Sequence, residues 1–490
     1  MPSPVYTADF REVKSRSSVV AFLLGMGMVA LTIVVGRAHA LYLLFIVSSF
    51  AITYFWRSAP RPWICLVSIV AATPIPLFRQ QVACNLLFAF ALAVFNANFL
   101  FKLPKWTYVP AAMALMGVLT SSFNWLSESV IGSILRQGAF VYNFLVSLFI
   151  FLPLIYFRMR ESRDHEANLR GLLFCLILPS TAILLTTKLV GIETNVYENS
   201  LHVGSLAEGY LDYLLGRVVV NFHRTEVGFI LAALICASTA IAVSRVRLQY
   251  RLVAAACSVS NIILLLSTGS FGSGSACLVG LAAIFYAQFR VLNPARCLAS
   301  MAVLGCSILL IYSLFPSSGK KYLEKRYQVR VTNRDQDRVV LWTRAMGYIL
   351  ENPEGVGLTF TVGDKVKTNP HNDYLLYTVS YGFLGGLAYL YLVTVLLLYF
   401  IQVRNRKIED HSAFAIHLAG LGVVVALALN SMTDHLTNNR WYFNVIWSIV
   451  WYSYFCSQAA HRQPVSLEAD GEAAKVERMA SHGESIAVIA

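Results

Sequence analysis

Charge is scarce in this chain. Asp, Glu, Lys and Arg make up 13% of its 490 residues, against 57% hydrophobic residues. That balance excludes an ordinary soluble domain, in which about a quarter of residues are charged. The nine cysteines fall in or beside apolar runs, with none in the two long polar loops at 190–220 and 316–372, which excludes a disulfide framework there. No CxxC pair, HExxH or P-loop occurs, so the short motifs for zinc, metalloprotease or nucleotide-triphosphate chemistry are missing. No internal repeat is visible, and the central thirds of the apolar runs lack Asp, Glu, Lys and Arg. A transporter would show repeats and buried charge near the midplane, so that class is the weaker alternative. Acids are scarcer than bases, 26 against 39, giving a net charge of +13. Most of the bases follow one membrane face, so nucleic acid is not implied.

What is present is a succession of apolar runs long enough to cross about 30 Å of hydrocarbon as helices. They lie at 17–36, 40–56, 63–77, 82–101, 106–126, 138–157, 171–190, 222–243, 252–268, 272–289, 298–315, 382–403, 411–430 and 441–458. The run at 63–77 is short and holds Pro74 and Pro76, so the count is twelve to fourteen. The runs do not alternate as strands would. The expected fold is therefore all-α, a polytopic transmembrane helix bundle.

Lys and Arg set the orientation. With the N-terminus inside, inner segments hold 22 of these residues and outer segments 17, of which ten lie in 316–372. Outside that loop the outer count is seven. Both termini are then cytoplasmic. The chain divides into a cytoplasmic N-terminus (1–16), a transmembrane bundle (17–315), an external loop (316–372), C-terminal transmembrane helices (373–458) and a cytoplasmic tail (459–490) without a core of its own. Ala38-His39-Ala40 is similar to a signal-peptidase site, but cleavage there would leave the next span almost no leader; the first helix is read as uncleaved.

The basic loop sits where positive charge is normally sparse. It carries ten bases and six acids, and ends in Asn369-Pro370-His371-Asn372-Asp373-Tyr374. Asn333 or Asp335 can cap a helix from about Asp337 to Leu350, ended by Asn352-Pro353 and Gly355. On a 3.6 period Val339, Trp342, Met346, Ile349 and Leu350 share one face, which predicts an amphipathic helix along the membrane with Trp342 near the headgroups. Arg338 borders that face, where its guanidinium can reach a lipid-borne phosphate; Arg344 points away. Asp335-Gln336-Asp337 mimics a metal-binding aspartate pair, but two arginines flank it at a helix start that favours acids anyway, so no metal is expected. His371 follows Pro370 at the next helix start, and an imidazole there can take a proton from a sugar hydroxyl. A solvated loop histidine is the plainer alternative.

Two further polar patches face the same side. Arg217 and Asn221-Phe222-His223-Arg224-Thr225-Glu226 sit at the mouth of a span, where Arg224 offers a planar fork to phosphate oxygens; helix-end anchoring accounts for it as well. Asp434-His435 and Arg440 lie between the last two spans.

Asp337-Arg338 through Trp342, Glu351-Asn352-Pro353-Glu354-Gly355-Val356-Gly357, His371-Asn372-Asp373-Tyr374-Leu375 and Gly382-Phe383-Leu384-Gly385-Gly386 together resemble the signature of the bacterial O-antigen ligase and polymerase family. That family includes Wzy-type polysaccharide polymerases and the ligases that attach O-antigen to lipid A-core. The resemblance covers about 217–400. It implies a GT-C-like transferase of the bacterial inner membrane that uses undecaprenyl-pyrophosphate-linked oligosaccharide, needs no metal or other cofactor, and works alongside a flippase and a chain-length regulator. It also implies that Arg224 and Arg338 bind pyrophosphate and that His371 is the base; Asn372, Asp373 and Trp342 are read as supporting residues beside them. Many members carry Ser-Arg-Gly where this chain has Thr268-Gly269-Ser270-Phe271-Gly272-Ser273; either Arg217 substitutes or the donor is held differently. Polymerase is the favoured reading, from the extra N-terminal pair of spans if all fourteen are present, with ligase second.

Overall fold

The computed structural model describes residues 97–127, 141–189, 197–198, 201–202, 224–291, 294–314, 317–332, 336–357, 370–403, 408, 410–433 and 440–461. The spans expected before residue 97, the segment with Arg217, Asn333 and Asp335, Asp434-His435 and the tail lie outside the described residues.

The described chain is helical: α1 Lys105–Ser127, α2 Leu152–Tyr156, α3 His165–Arg170, α4 Leu178–Leu189, α5 Arg224–Val243, α6 Leu248–Thr268, α7 Phe271–Val291, α8 Pro294–Leu314, α9 Ser317–Thr332, α10 Gln336–Glu351, α11 Asp373–Val403, α12 His411–Thr433 and α13 Arg440–His461. Tyr142–Phe151 and Gly171–Ile177 are π-helical. The strand content described is one small antiparallel ribbon, β1 Tyr197–Glu198 with β2 Leu201–His202, in the loop after α4. Among the described residues, four helical stretches are long and apolar enough to cross a membrane: Leu248–Thr268, Phe271–Phe289, Asp373–Gln402 and His411–Thr433. Val227–Val243 and Leu298–Leu314 are shorter apolar helices.

Sequence accounts for the ends of these helices. Gly269 adopts φ 61° after α6 and its N–H returns to the Leu266 carbonyl, a left-handed cap that only a residue without Cβ adopts freely. Asp410 caps α12, its Oδ1 accepting from the N–H groups of Ser412 and Ala413 at 2.8 Å each. Asp164 caps α3 in the same way, accepting from Ala167 N–H at 2.9 Å.

The centre of the bundle is α12, apolar all round and buried along most of its length. It packs on α5, α7, α11 and α13. Close approach depends on small residues: a Cβ on Gly280 of α7 would lie 2.7 Å from both the Gly422 carbonyl of α12 and Cys236 Sγ of α5. α13 adds an aromatic wall in which Trp451 stacks on Trp106 of α1, ring centroids 5.8 Å apart, and Tyr454 Oη accepts from the Trp106 indole at 2.9 Å. α8 turns Leu298, Val303, Leu309 and Leu314 outward, as a lipid-facing helix does.

The contacts fix direction. Cys236 of α5 meets Cys277 and Gly280 of α7, and Gly228 meets Ser270 and Ser273, so α5 and α7 run parallel. Gly280 meets Ala426 while Ile284 meets Gly422, so α7 and α12 are antiparallel. Asn372 at the head of α11 reaches Met432 at the foot of α12. The starts of α5, α7 and α11 and the end of α12 therefore share one end of the bundle. At the other end Arg247 pairs with Glu166 at 3.0 Å, and Tyr250 donates to the same carboxylate at 2.8 Å.

Candidate functional site

α11 is 31 residues long, about 46 Å, well beyond the ~30 Å of hydrocarbon. It breaks at Tyr381 (φ −124°, ψ 20°) and Gly382 (φ 69°, ψ −173°). The part after Gly382 is long enough to span alone, and the expected span begins at 382; the helix in fact starts nine residues earlier, at Asp373. Exposed Phe383, Leu384 and Leu387 follow the break at once. Asp373 to Tyr381 thus forms a pedestal of about 13 Å above the spanning part, with His371 at its top.

The pedestal is fastened on three sides. Asn372 caps it, its Oδ1 accepting from Leu375 N–H at 3.1 Å, while its Nδ2 donates to the Met432 carbonyl at 3.3 Å. Asp373 is buried and accepts from Ser431 Oγ at 3.2 Å; Ser431 is in turn 2.8 Å from Tyr389 Oη. Tyr374 Oη donates to the Ala428 carbonyl at 3.2 Å. On another side Phe144 stacks on Tyr377 and Tyr381, centroids 4.3 and 4.8 Å away. The third side is α10, whose Ala345 and Ile349 are buried against α11.

At the foot of α10 the chain turns through Asn352-Pro353-Glu354-Gly355-Val356 and docks on the break in α11. Phe383 N–H donates to the Pro353 carbonyl at 3.0 Å and Val356 N–H to the Val379 carbonyl at 2.9 Å. Both groups are released from helical pairing by the break, and the turn satisfies them. Gly355 (φ 91°) and Gly382 touch backbone to backbone. At the head of α10 the Trp342 indole N–H donates to the Pro370 carbonyl at 2.9 Å.

His371 is half-buried and has φ 50°, the one non-glycine residue with a left-handed backbone among the described residues. That conformation costs on the order of 1–2 kcal/mol, so surrounding contacts must hold it.

The helix expected at Asp337–Leu350 is present as Gln336–Glu351, but its apolar face is divided. Trp342 and Ile349 turn to α11 and the histidine turn, whereas Val339, Met346 and Leu350 are exposed. Trp342 therefore serves as a tie and not as a headgroup anchor. The expected single face assumed one partner, and the helix has two surroundings. Arg338 is half-buried and Arg344 exposed, as the period predicts. Arg224 begins α5 at the same end as His371, as does the backbone of Arg440 at the start of α13. Where the resemblance leads one to expect an arginine, the α6–α7 turn presents hydroxyls: Ser270 N–H donates to Thr268 Oγ1 at 3.2 Å, and Ser270 Oγ donates to Ser273 Oγ at 3.0 Å.

Sequence reasoning did not find Ser431 and Tyr389 behind Asp373, nor the docking of the Pro353 turn. The second had a signal in Gly355, Gly357 and Gly382, all with positive φ; the first had none beyond two polar residues in apolar runs.

Helices that pass alternately through one bundle, with Arg224, Arg338 and His371 carried on three elements at a single end, define a polytopic helical membrane protein. Residues 232–390, about a third of the chain, match the family model described as O-antigen ligase. That match supports the O-antigen ligase/polymerase family for this chain, and with it an activity of the ligase/polymerase type. The matched stretch holds Arg338, Trp342 and His371 and begins eight residues after Arg224. No curated protein matches the chain.

Proposed function

We propose that the protein is a polysaccharide polymerase of the bacterial inner membrane, acting at its periplasmic face with both termini in the cytoplasm. It transfers a growing glycan from undecaprenyl pyrophosphate onto the non-reducing sugar of a new lipid-linked repeat unit. His371 takes the proton of the acceptor hydroxyl as its oxygen attacks the anomeric carbon. The bond from that carbon to the pyrophosphate oxygen breaks, and the departing pyrophosphate is stabilised by Arg338 and Arg224, with Arg217 in place of the arginine that many family members carry after α6. In this reading two guanidinium groups neutralise the leaving group in place of a metal.

The observation that carries this reading is the placement of His371: strained in backbone, held on a braced pedestal clear of the spanning helix, and tied to the helix bearing Arg338. The ligase reading uses the same chemistry with lipid A-core as acceptor, and the description of the matched family favours it. Expression of His371→Ala at normal level, with surface and lipid-linked glycans profiled together, separates them. Single repeat units without long polymer support the polymerase. Polymer retained on undecaprenyl pyrophosphate beside bare lipid A-core supports the ligase. A wild-type profile from His371→Ala, where a deletion strain has none, removes His371 from the mechanism.

A further inference from the structure

α10 is held to α11 at both ends: by the Pro353–Val356 turn on the break at Gly382, and by the Trp342 indole on the Pro370 carbonyl. Between these ties Ala345 and Ile349 are buried. Positions 338, 342, 345 and 349 form one helical stripe at spacings of four, three and four, so the stripe that docks the helix also carries Arg338. Arg338 lies one turn, about 6 Å along the axis, beyond Trp342.

The carbonyl that Trp342 grips belongs to the Pro370–His371 peptide. That unit is planar, so a donor fixed on the oxygen fixes the orientation of the His371 N–H and the start of its φ rotation. Here φ is 50°, a value His371 holds only while neighbours impose it.

We propose that Trp342 is a positioning residue: through its indole N–H it holds the His371 backbone in its left-handed conformation, and it sets the spacing between the base and the phosphate-binding Arg338. This rests on the roles proposed above for those two groups. Trp342 touches no reacting atom in this scheme. Its loss lowers the rate of transfer from bound substrate and leaves donor binding intact.

The test compares wild type with Trp342→Phe and with a variant carrying 3-benzothienylalanine at position 342, which keeps the indole shape and replaces N–H by sulfur. Each is purified, reconstituted, and supplied with lipid-linked glycan extracted from a strain lacking this protein. Both variants are expected to lose kcat by about tenfold, the worth of one well-placed hydrogen bond, with KM and undecaprenyl pyrophosphate binding within about twofold of wild type. Carbethoxylation of His371, followed by mass spectrometry, is expected to accelerate by at least about twofold as the hold on its backbone is released. Wild-type kcat and labelling rate in the benzothienyl variant overturn the proposal, as does a loss confined to KM. Should wild type itself transfer nothing, the functional reading fails, and the labelling rates alone decide whether Trp342 positions His371. Should Trp342→Phe not fold, the isosteric variant decides.

Discussion

Gly382→Ala isolates the docking of α10 on the break in α11. Gly382 has φ 69° and ψ −173°, a region in essence reserved for glycine, so an alanine there is strained by about 1–3 kcal/mol before any contact is considered. Its Cβ would also press on the Pro353 carbonyl and lie 2.7 Å from Glu354 C, both backbone atoms that cannot rotate away. Relief requires the Pro353–Val356 turn to lift, which breaks two backbone hydrogen bonds of 2.9 and 3.0 Å worth about 1 kcal/mol each. Together these give a local loss of about 3–5 kcal/mol. The matched control is Gly347→Ala on α10, where a Cβ meets nothing within 4 Å and helix propensity predicts a gain of up to about 1 kcal/mol. The assay is amide hydrogen exchange over 352–357 and 379–383 in purified protein, beside the surface glycan profile. Gly382→Ala is expected to lose protection in both segments and long polymer with it, while Gly347→Ala keeps both. Wild-type protection in Gly382→Ala would refute the claim that this contact needs glycine.

Arg338→Lys keeps the charge but loses the planar fork; transfer by the reconstituted protein is expected to fall roughly tenfold, and about a hundredfold in Arg338→Ala. Equal rates in Lys and wild type would mean that Arg338 acts as a point charge alone. His165, at the end opposite His371, is buried, and neither ring nitrogen has a hydrogen-bond partner among the described residues. Burial holds its pKa below the usual value of 6.5, against the upward pull of Asp410 and Asp164. The unfolded chain then binds a proton that the folded one refuses, so this contribution is intact above about pH 6.5 and is eroded as pH falls below it. Thermal unfolding in detergent should show a larger loss of Tm from pH 7 to 5 in wild type than in His165→Gln; parallel curves would refute the assignment.

Much of this was legible in the sequence because burial in a membrane writes itself as length and apolarity. The runs at 252–268, 272–289, 298–315 and 411–430 match α6, α7, α8 and α12 to within a few residues. The helix at 336–351 was legible from its period and its Asn-Pro stop. Tertiary partnership was not. Val339 and Trp342 lie on one predicted face, yet one faces outward and the other holds a carbonyl of the histidine turn. Periodicity identifies which residues share a side, and only the fold decides what that side meets. The same holds for α11, where Gly382 marked a span boundary in the sequence but not that nine more helical residues stand above it.

Those nine residues explain why the site needs so much bracing. A base at the end of a free helical stub would fray with its last turn, since the first four N–H groups lack helical partners. Asn372 answers one of them, and Asp373 places a carboxylate at the positive end of the helix while also binding Ser431. Met432 and Ser431 belong to α12, a helix buried along most of its length, so the position of His371 is referred to the core and not to the loop that precedes it. Arg338 is referred to the same pedestal through Trp342 and Ile349. On the roles proposed for them, a base and a phosphate-binding group on a common support keep their spacing. The proposed transfer demands that constancy whichever acceptor is used, because the reacting groups must meet in one geometry.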